Sequence, residues 1–122
     1  LPQAMNDRLA QHLRSPQEFW TEYPLPTVSI GDAKFDANQM WRGPTWVNVN
    51  YLFIEGLVKC GYHDLARELR ERTLALILRQ PDIYEYYNPL TGDAPPKAAS
   101  IFGWSSAVFI DLAVKQAAGK II

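Results

Sequence analysis

A single carboxylate stands among three tyrosines in the stretch YEYYNPLTG, where Tyr84, Tyr86 and Tyr87 surround Glu85. Cleavage of a glycosidic bond needs a carboxylic acid to protonate the leaving oxygen and a second carboxylate to activate water or to attack. Aromatic faces on which a sugar stacks complete such a site. Glu85 is therefore the best-placed candidate for this chemistry, and the alternative is a solvated loop glutamate between packing tyrosines.

Two further stretches, MWRGPTW and FGWS, combine polar groups with aromatic residues next to a predicted helix start. Trp41, Trp46 and Trp104 could each present a flat apolar face and an indole N–H to a sugar, or could belong to the core. Arg42 could donate its planar fork of N–H groups to sugar hydroxyls or to a carboxylate, or could form a structural ion pair. These residues are the candidate binding groups.

Other polar residues support less chemistry. Glu55 is a rival carboxylate, but it falls in a predicted buried helix where pairing or snorkelling is expected, and Asp32 and Asp36 are expected to form turns. His12 and His63 have no partners at metal-ligand spacing, and the chain has neither a Gly-rich phosphate loop nor a GxSxG elbow. We therefore expect no metal and no cofactor.

Composition limits the partners. The 122 residues, 48% hydrophobic and 20% charged, fit one globular domain. A net charge of −1 provides no basic field for nucleic acid or an anionic membrane, and no apolar run approaches the length of a membrane span, so neither partner is expected. Cys60 is the only cysteine and is expected to be a buried thiol. A chain with no internal disulfide slightly favours a reducing, cytoplasmic location, and nothing else in the sequence indicates the compartment.

Hydrophobic periodicity predicts an all-α chain. The predicted elements are helices at Pro2–Arg14, Pro44–Cys60, Asp64–Arg79 and Trp104–Ala118, a short helix at Pro16–Trp20, a loop at Tyr23–Gly43 and an extended piece at Ile83–Tyr87. Pro44 in the first helical position and Gly61 after the last are typical helix boundaries. Because the second helix is apolar nearly all round and the third is amphipathic, we expect a hairpin of an inner and an outer helix. In a ring of such hairpins the three polar-aromatic stretches would converge on one mouth.

Taken together, WRGPTWVNVNYLFIEGL, YEYYNPLTG and FGWSSAVFIDL resemble, in this order and spacing, the C-terminal part of a glycoside hydrolase family. That family includes processing α-glucosidase I and bacterial mannosylglycerate and glucosylglycerate hydrolases, and the loop LPTVSIGDAKFDANQMWRGP is similar to it as well. The resemblance implies a partial (α/α)6 toroid, with residues 1–122 as a single C-terminal fragment of its catalytic domain. Trehalases of the same architecture, with a cognate glutamate and a GFGWT stretch, are the nearest alternative.

The resemblance also implies roles. The family hydrolyses with inversion, using an aspartic acid as general acid and a glutamate as general base, and the base falls on Glu85. Its substrate would be an α-linked glucoside or mannoside. The implied substrate-binding residues are Trp41, Arg42, Gly43, Trp46, Tyr87 and Trp104.

One departure from the family matters most. Its general acid belongs to an earlier segment, typically a Gly, Asp, Asn-Ser-Pro-like run, and nothing in this chain resembles that segment. Because one carboxylate cannot supply both proton transfers, the isolated chain is expected to be inactive. The chain also opens at Leu1 with amphipathic sequence in progress, as expected of a fragment.

A fragment would leave apolar surface open. The helices at 44–60 and 104–118 are expected to expose an apolar face unless a missing N-terminal part of the domain or another copy covers it. The alternative from a different class is a non-catalytic carbohydrate-binding or helical interaction module.

Overall fold

A computed structural model describes all residues from 1 to 122. Its regular structure consists of four helices, α1 (Gln3–Leu13), α2 (Val47–Lys59), α3 (His63–Leu78) and α4 (Gly103–Ala117). The remaining pairing is limited to three isolated β-bridges. The prediction of an all-α chain is confirmed.

Helix α2 begins three residues later than the sequence predicts. Pro44 and Thr45 lie outside the helix, and Trp46, with φ −110° and ψ 126°, is its extended N-cap. The cause is tertiary, because Thr45 exchanges both backbone hydrogen bonds with Tyr87, at N···O distances of 2.8 and 2.9 Å. This long-range pair overrides the local preference of Pro44 for a first helical turn.

Two other local predictions also need correction. Cys60 is exposed rather than buried, because α2 ends at Lys59 and leaves Cys60 at its C-cap. Residues 16–20 form turns instead of a short helix. The Ser15 carbonyl alone accepts the N–H groups of Glu18, Phe19 and Trp20, so no regular helical ladder forms. So short a segment does not recover the cost of helix nucleation. By contrast, the predicted left-handed cap at Gly61 is confirmed, with φ 85°.

Helix α3 forms the predicted hairpin with α2 and also packs against α4. Its amphipathic character is confirmed, and it is the most buried of the three helices that pack together. Eight residues of α3 are buried, compared with four of α2 and two of α4. Arg70 on α3 is buried because the C-terminal tail crosses it and the Lys120 carbonyl accepts its N–H.

Helices α2 and α4 leave apolar side chains uncovered, as predicted. The exposed groups are Leu52 and Phe53 on α2 and Trp104, Ile110 and Val114 on α4. None of the four helices combines the length and the apolarity that crossing a membrane requires. Several exposed apolar side chains on one helix are typical of a face that contacts other protein.

The fully buried Asn50 ties the two helices of the hairpin to the preceding loop. Its Oδ1 accepts the N–H of Leu25 at 3.0 Å, and its Nδ2 donates to the Pro24 carbonyl at 2.7 Å and to Thr73 Oγ1 on α3 at 2.9 Å. The Thr73 hydroxyl donates onward to the Leu69 carbonyl at 2.7 Å. Because loop backbone groups lack partners from secondary structure, this side chain fixes where the loop lies.

Replacing Asn50 with Ala would leave the Leu25 N–H and the Pro24 carbonyl buried without partners. Each orphaned group costs roughly 1–3 kcal/mol, so we expect the free energy of unfolding to fall by about 2–4 kcal/mol in a denaturant titration. Asn48→Ala is the matched control, since Asn48 is half-buried on the same helix and outside this network. Equal losses for the two variants would contradict the assignment.

Candidate active site

Backbone bridges place the three polar-aromatic stretches side by side. Pro26 bridges to Thr45, Thr45 to Tyr87, and Tyr84 to Ser100, all antiparallel. Residues 83–87 are therefore held between the first stretch on one side and the segment that leads into FGWS on the other. The predicted extended piece exists in this short form, with a bend at residue 85.

Five aromatic rings from these stretches form one cluster. Trp41 stacks on Trp46 with ring centroids 3.9 Å apart and planes 7° apart, and Trp46 lies 5.1 Å from Tyr86. Phe102 contacts Trp46 edge-on at 6.5 Å, and Trp104 contacts Phe102 edge-on at 5.5 Å. The predicted convergence of the three stretches is confirmed.

The three candidate tryptophans differ in their exposure to solvent. Trp46 is 1% exposed and lies between Trp41 and Tyr86, so neither of its faces is open to a ligand. Trp41 and Trp104 are 50% and 60% exposed. Both can therefore serve as sugar platforms, whereas Trp46 supports Trp41 from behind.

A tight loop presents Trp41. The residue has φ 58°, in the left-handed region that non-glycine residues seldom adopt. The Asp36 N–H donates to the Arg42 carbonyl at 2.8 Å, and the Arg42 N–H donates to the Gln39 carbonyl at 2.9 Å. A Cβ on Gly43 would lie 2.5 Å from the Asp36 carbonyl oxygen, so only glycine fits there without displacing the loop. The contribution of Gly43 is therefore to let the loop close against residue 36.

The Arg42 side chain is exposed and forms no ion pair with a carboxylate of this chain. The structural ion pair considered from the sequence is absent, so the guanidinium is available to an external acceptor. The expected turn roles of Asp32 and Asp36 are confirmed, because their carboxylates accept the N–H groups of Lys34 and Asn38 at 2.7 and 3.0 Å.

Glu85 is half-buried and has one hydrogen bond at its carboxylate, to Oε2 from the Ala99 N–H at 3.4 Å. No Lys, Arg or His nitrogen lies within 4.0 Å of it. Burial, and secondarily the charge of Glu85, raises the pKa of Tyr86, so this phenol stays protonated near neutral pH. The chain has no group of three or more His, Cys, Asp or Glu side chains arranged to hold a metal ion.

Tyr87 lies in the protein interior and not at the surface of the site. It is fully buried, and its hydroxyl accepts the N–H of Tyr84 at 2.9 Å. Burial raises the pKa of this phenol as well. The pair with Thr45 turns the residue inward against Val47 and the end of α3, so the sugar contact predicted for Tyr87 is not available in this arrangement.

Sequence reasoning did not select Tyr86 and Phe102, although both belong to the cluster. The available signal was position, since Tyr86 directly follows Glu85 and Phe102 opens the FGWS stretch. Both tyrosines are buried, and choosing Tyr86 over Tyr87 required knowing that Tyr86 packs against Trp46 while Tyr87 packs against Val47 and α3.

A model of the mannosylglycerate hydrolase MGH1-like glycoside hydrolase domain matches residues 1–105. The chain belongs to this family of glycoside hydrolase domains. A mannosylglycerate hydrolase of Thermus thermophilus is 38% identical over 102 residues, which cover 81% of this chain and 24% of that protein. A probable mannosyl-oligosaccharide glucosidase of Schizosaccharomyces pombe is 30% identical over 115 residues, covering 82% of this chain and 14% of the yeast protein.

Solved structures of the family share the fold. The crystal structure of a GH63 mannosylglycerate hydrolase from Thermus thermophilus in complex with Tris and D-glycerate aligns with a TM-score of 0.81 at 34% identity. The alignment covers 90% of this chain and 26% of that structure. The chain therefore spans about a quarter or less of the length of these relatives.

Ile101 is the second non-glycine residue with a left-handed backbone, at φ 53°, and it adjoins the same aromatic cluster as Trp41. This conformation costs roughly 1–2 kcal/mol for an ordinary L-residue. The side chain is 79% exposed, so packing within this chain offsets little of that cost. Backbone strain is thus concentrated at the two edges of the cluster.

Because asparagine adopts the left-handed region readily, we expect Ile101→Asn to stabilise the chain by about 1 kcal/mol and to raise its thermal midpoint by about 4 °C. The matched control is Ile110→Asn, which alters another exposed isoleucine, 62% accessible, on helix α4. That variant is expected to gain nothing, since its backbone is helical. A gain at both positions, or at neither, would argue against strain at Ile101.

Proposed function

We propose that this chain supplies the general-base side of an inverting α-glycoside hydrolase, as the C-terminal part of a larger (α/α)6 catalytic domain. The observation that carries the proposal is that the segment bearing Glu85 is held between the other two stretches and beside their aromatic cluster, with no cation at the Glu85 carboxylate. Family membership supports it, because relatives are named as hydrolases of mannosylglycerate and glucosylglycerate and as a mannosyl-oligosaccharide glucosidase.

The proposed step needs two carboxyl groups. Glu85 takes a proton from water while the water oxygen bonds to the anomeric carbon and the glycosidic C–O bond breaks. A carboxylic acid on the opposite side protonates the leaving oxygen, and the two carboxyls of an inverting site lie roughly 6.5–9.5 Å apart. We place that acid outside residues 1–122, in a part of the domain that the longer relatives contain.

The substrate is an α-linked glucoside or mannoside. Trp41 and Trp104 offer the open aromatic faces on which the apolar side of a sugar ring stacks. Arg42, unpaired within this chain, donates to sugar hydroxyls or to an acidic group of the aglycone. In the complete domain, another segment or another copy covers the apolar faces of α2 and α4.

Replacing Glu85 with Gln in the full-length gene product should lower kcat by at least about 100-fold, because the amide cannot accept the proton of water. Binding of the sugar should persist, since the substitution leaves the open faces of Trp41 and Trp104 in place. Assays with mannosylglycerate, glucosylglycerate and α-glucosides would measure both quantities, with product stereochemistry followed by NMR.

Glu55→Gln is the control, since it removes a half-buried carboxylate on α2 that belongs to no ion pair. Its kcat should stay near that of the unaltered protein. Unchanged turnover in Glu85→Gln would overturn the proposal in favour of a binding module. Hydrolysis by residues 1–122 alone would contradict the placement of the acid elsewhere.

Replacing Trp41 with Ala should raise KM about 10-fold with a smaller effect on kcat, because the variant loses a stacking face while the base remains. Aromatic contacts of this kind contribute roughly 1 kcal/mol or more each. Trp20→Ala is the control, since Trp20 lies beneath the Arg72 guanidinium and outside the cluster. A larger rise in KM for the control would show that the effect is not local.

A further inference from the structure

Residues 99–102 pair with residues 83–85, the segment that carries Glu85, in a short antiparallel ladder. The Glu85 N–H donates to the Ala99 carbonyl at 2.8 Å, and the Phe102 N–H donates to the Ile83 carbonyl at 3.0 Å. A bridge lies between them, and the pairs run 85 with 99, 84 with 100 and 83 with 102. The second segment therefore contains one extra residue, at position 101.

The extra residue explains the left-handed backbone of Ile101. An inserted residue in one strand makes a bulge, and a bulged residue with positive φ is normally glycine. Bulges are common beside active sites, where they redirect a side chain or end a pairing. Here the bulge ends the ladder one residue before Phe102 joins the aromatic cluster, while the unbulged end holds Glu85.

Residue 99 contacts Glu85 twice. Its carbonyl accepts the main-chain N–H, and its own N–H donates to the carboxylate oxygen Oε2 at 3.4 Å. The other carboxylate oxygen, Oε1, accepts no hydrogen bond from the chain and has no cation within 4.0 Å. One oxygen therefore accepts a long hydrogen bond from the main chain, and the other accepts none.

We propose that the Ala99 amide is a positioning group for the base and that Oε1 of Glu85 is the oxygen that takes the proton from water. This inference rests on the function proposed above. Tethering Oε2 limits rotation of the carboxylate and directs the lone pairs of Oε1 toward one place, which is what near-attack geometry requires of a base. Proton transfer to Oε1 accompanies bond formation between the water oxygen and the anomeric carbon, and the carboxylic acid named above protonates the leaving oxygen.

The test compares Ala99→Pro, which lacks the N–H, with Ala99→Gly, which keeps it, both in the full-length gene product. The proline variant is expected to lose at least about 10-fold in kcat with KM within about twofold, because binding does not use this amide. The glycine variant should retain nearly the original kcat. A rise in KM without a fall in kcat, or a fall shared equally by both variants, would overturn the inference.

A proline at position 99 also risks disturbing the ladder, so a second variant tests the N–H alone. An amide-to-ester replacement at residue 99 removes the N–H and keeps the carbonyl and the side chain, and it should reproduce the loss in kcat. If this ester turns over normally while Glu85→Gln is inactive, the positioning role is refuted and the function stands. If Glu85→Gln is active, the proposed function itself fails.

Discussion

The paired backbone of Thr45 and Tyr87 is the constraint on which the site depends. Both residues are fully buried, they exchange two hydrogen bonds at 2.8 and 2.9 Å, and the Thr45 hydroxyl donates to the Tyr23 carbonyl at 2.6 Å. The pair delays the start of α2, so Trp46 enters the cluster as an extended residue. It also holds Tyr87 against Val47 and the end of α3, while Tyr86 packs against Trp46.

The main chain at Glu85 is fixed by hydrogen bonds to two different segments. The Thr45 pair anchors the chain after it, and the ladder with residues 99–102 anchors it from the other side, with a bend between. A carboxylate on a single flexible loop would sample many positions, and holding reacting groups in place contributes much of a catalytic effect. Two anchors from distant segments restrict it without any ion pair that would neutralise its charge.

The helices could be predicted because their signals are local. Apolar periodicity located all four helices, and Gly61 located the end of α2. The start of α2 could not be predicted, because a partner 42 residues away in sequence pulls Thr45 out of the helix. Likewise, nothing in the run YEYY distinguishes the tyrosine that packs against α3 from the one that joins the aromatic cluster, and isoleucine gives no local signal for a left-handed bulge.

The burial pattern follows from what surrounds each helix. The C-terminal tail crosses α3, which has the most buried residues of the four helices although its sequence carries the most charge. Helices α2 and α4 are more apolar, yet they expose Leu52, Phe53, Ile110 and Val114. Sequence hydrophobicity therefore reports the burial that a side chain requires, while the structure reports the burial that these 122 residues provide. The difference falls on two helices whose N-terminal ends adjoin the aromatic cluster, through the N-cap residues Trp46 of α2 and Phe102 of α4.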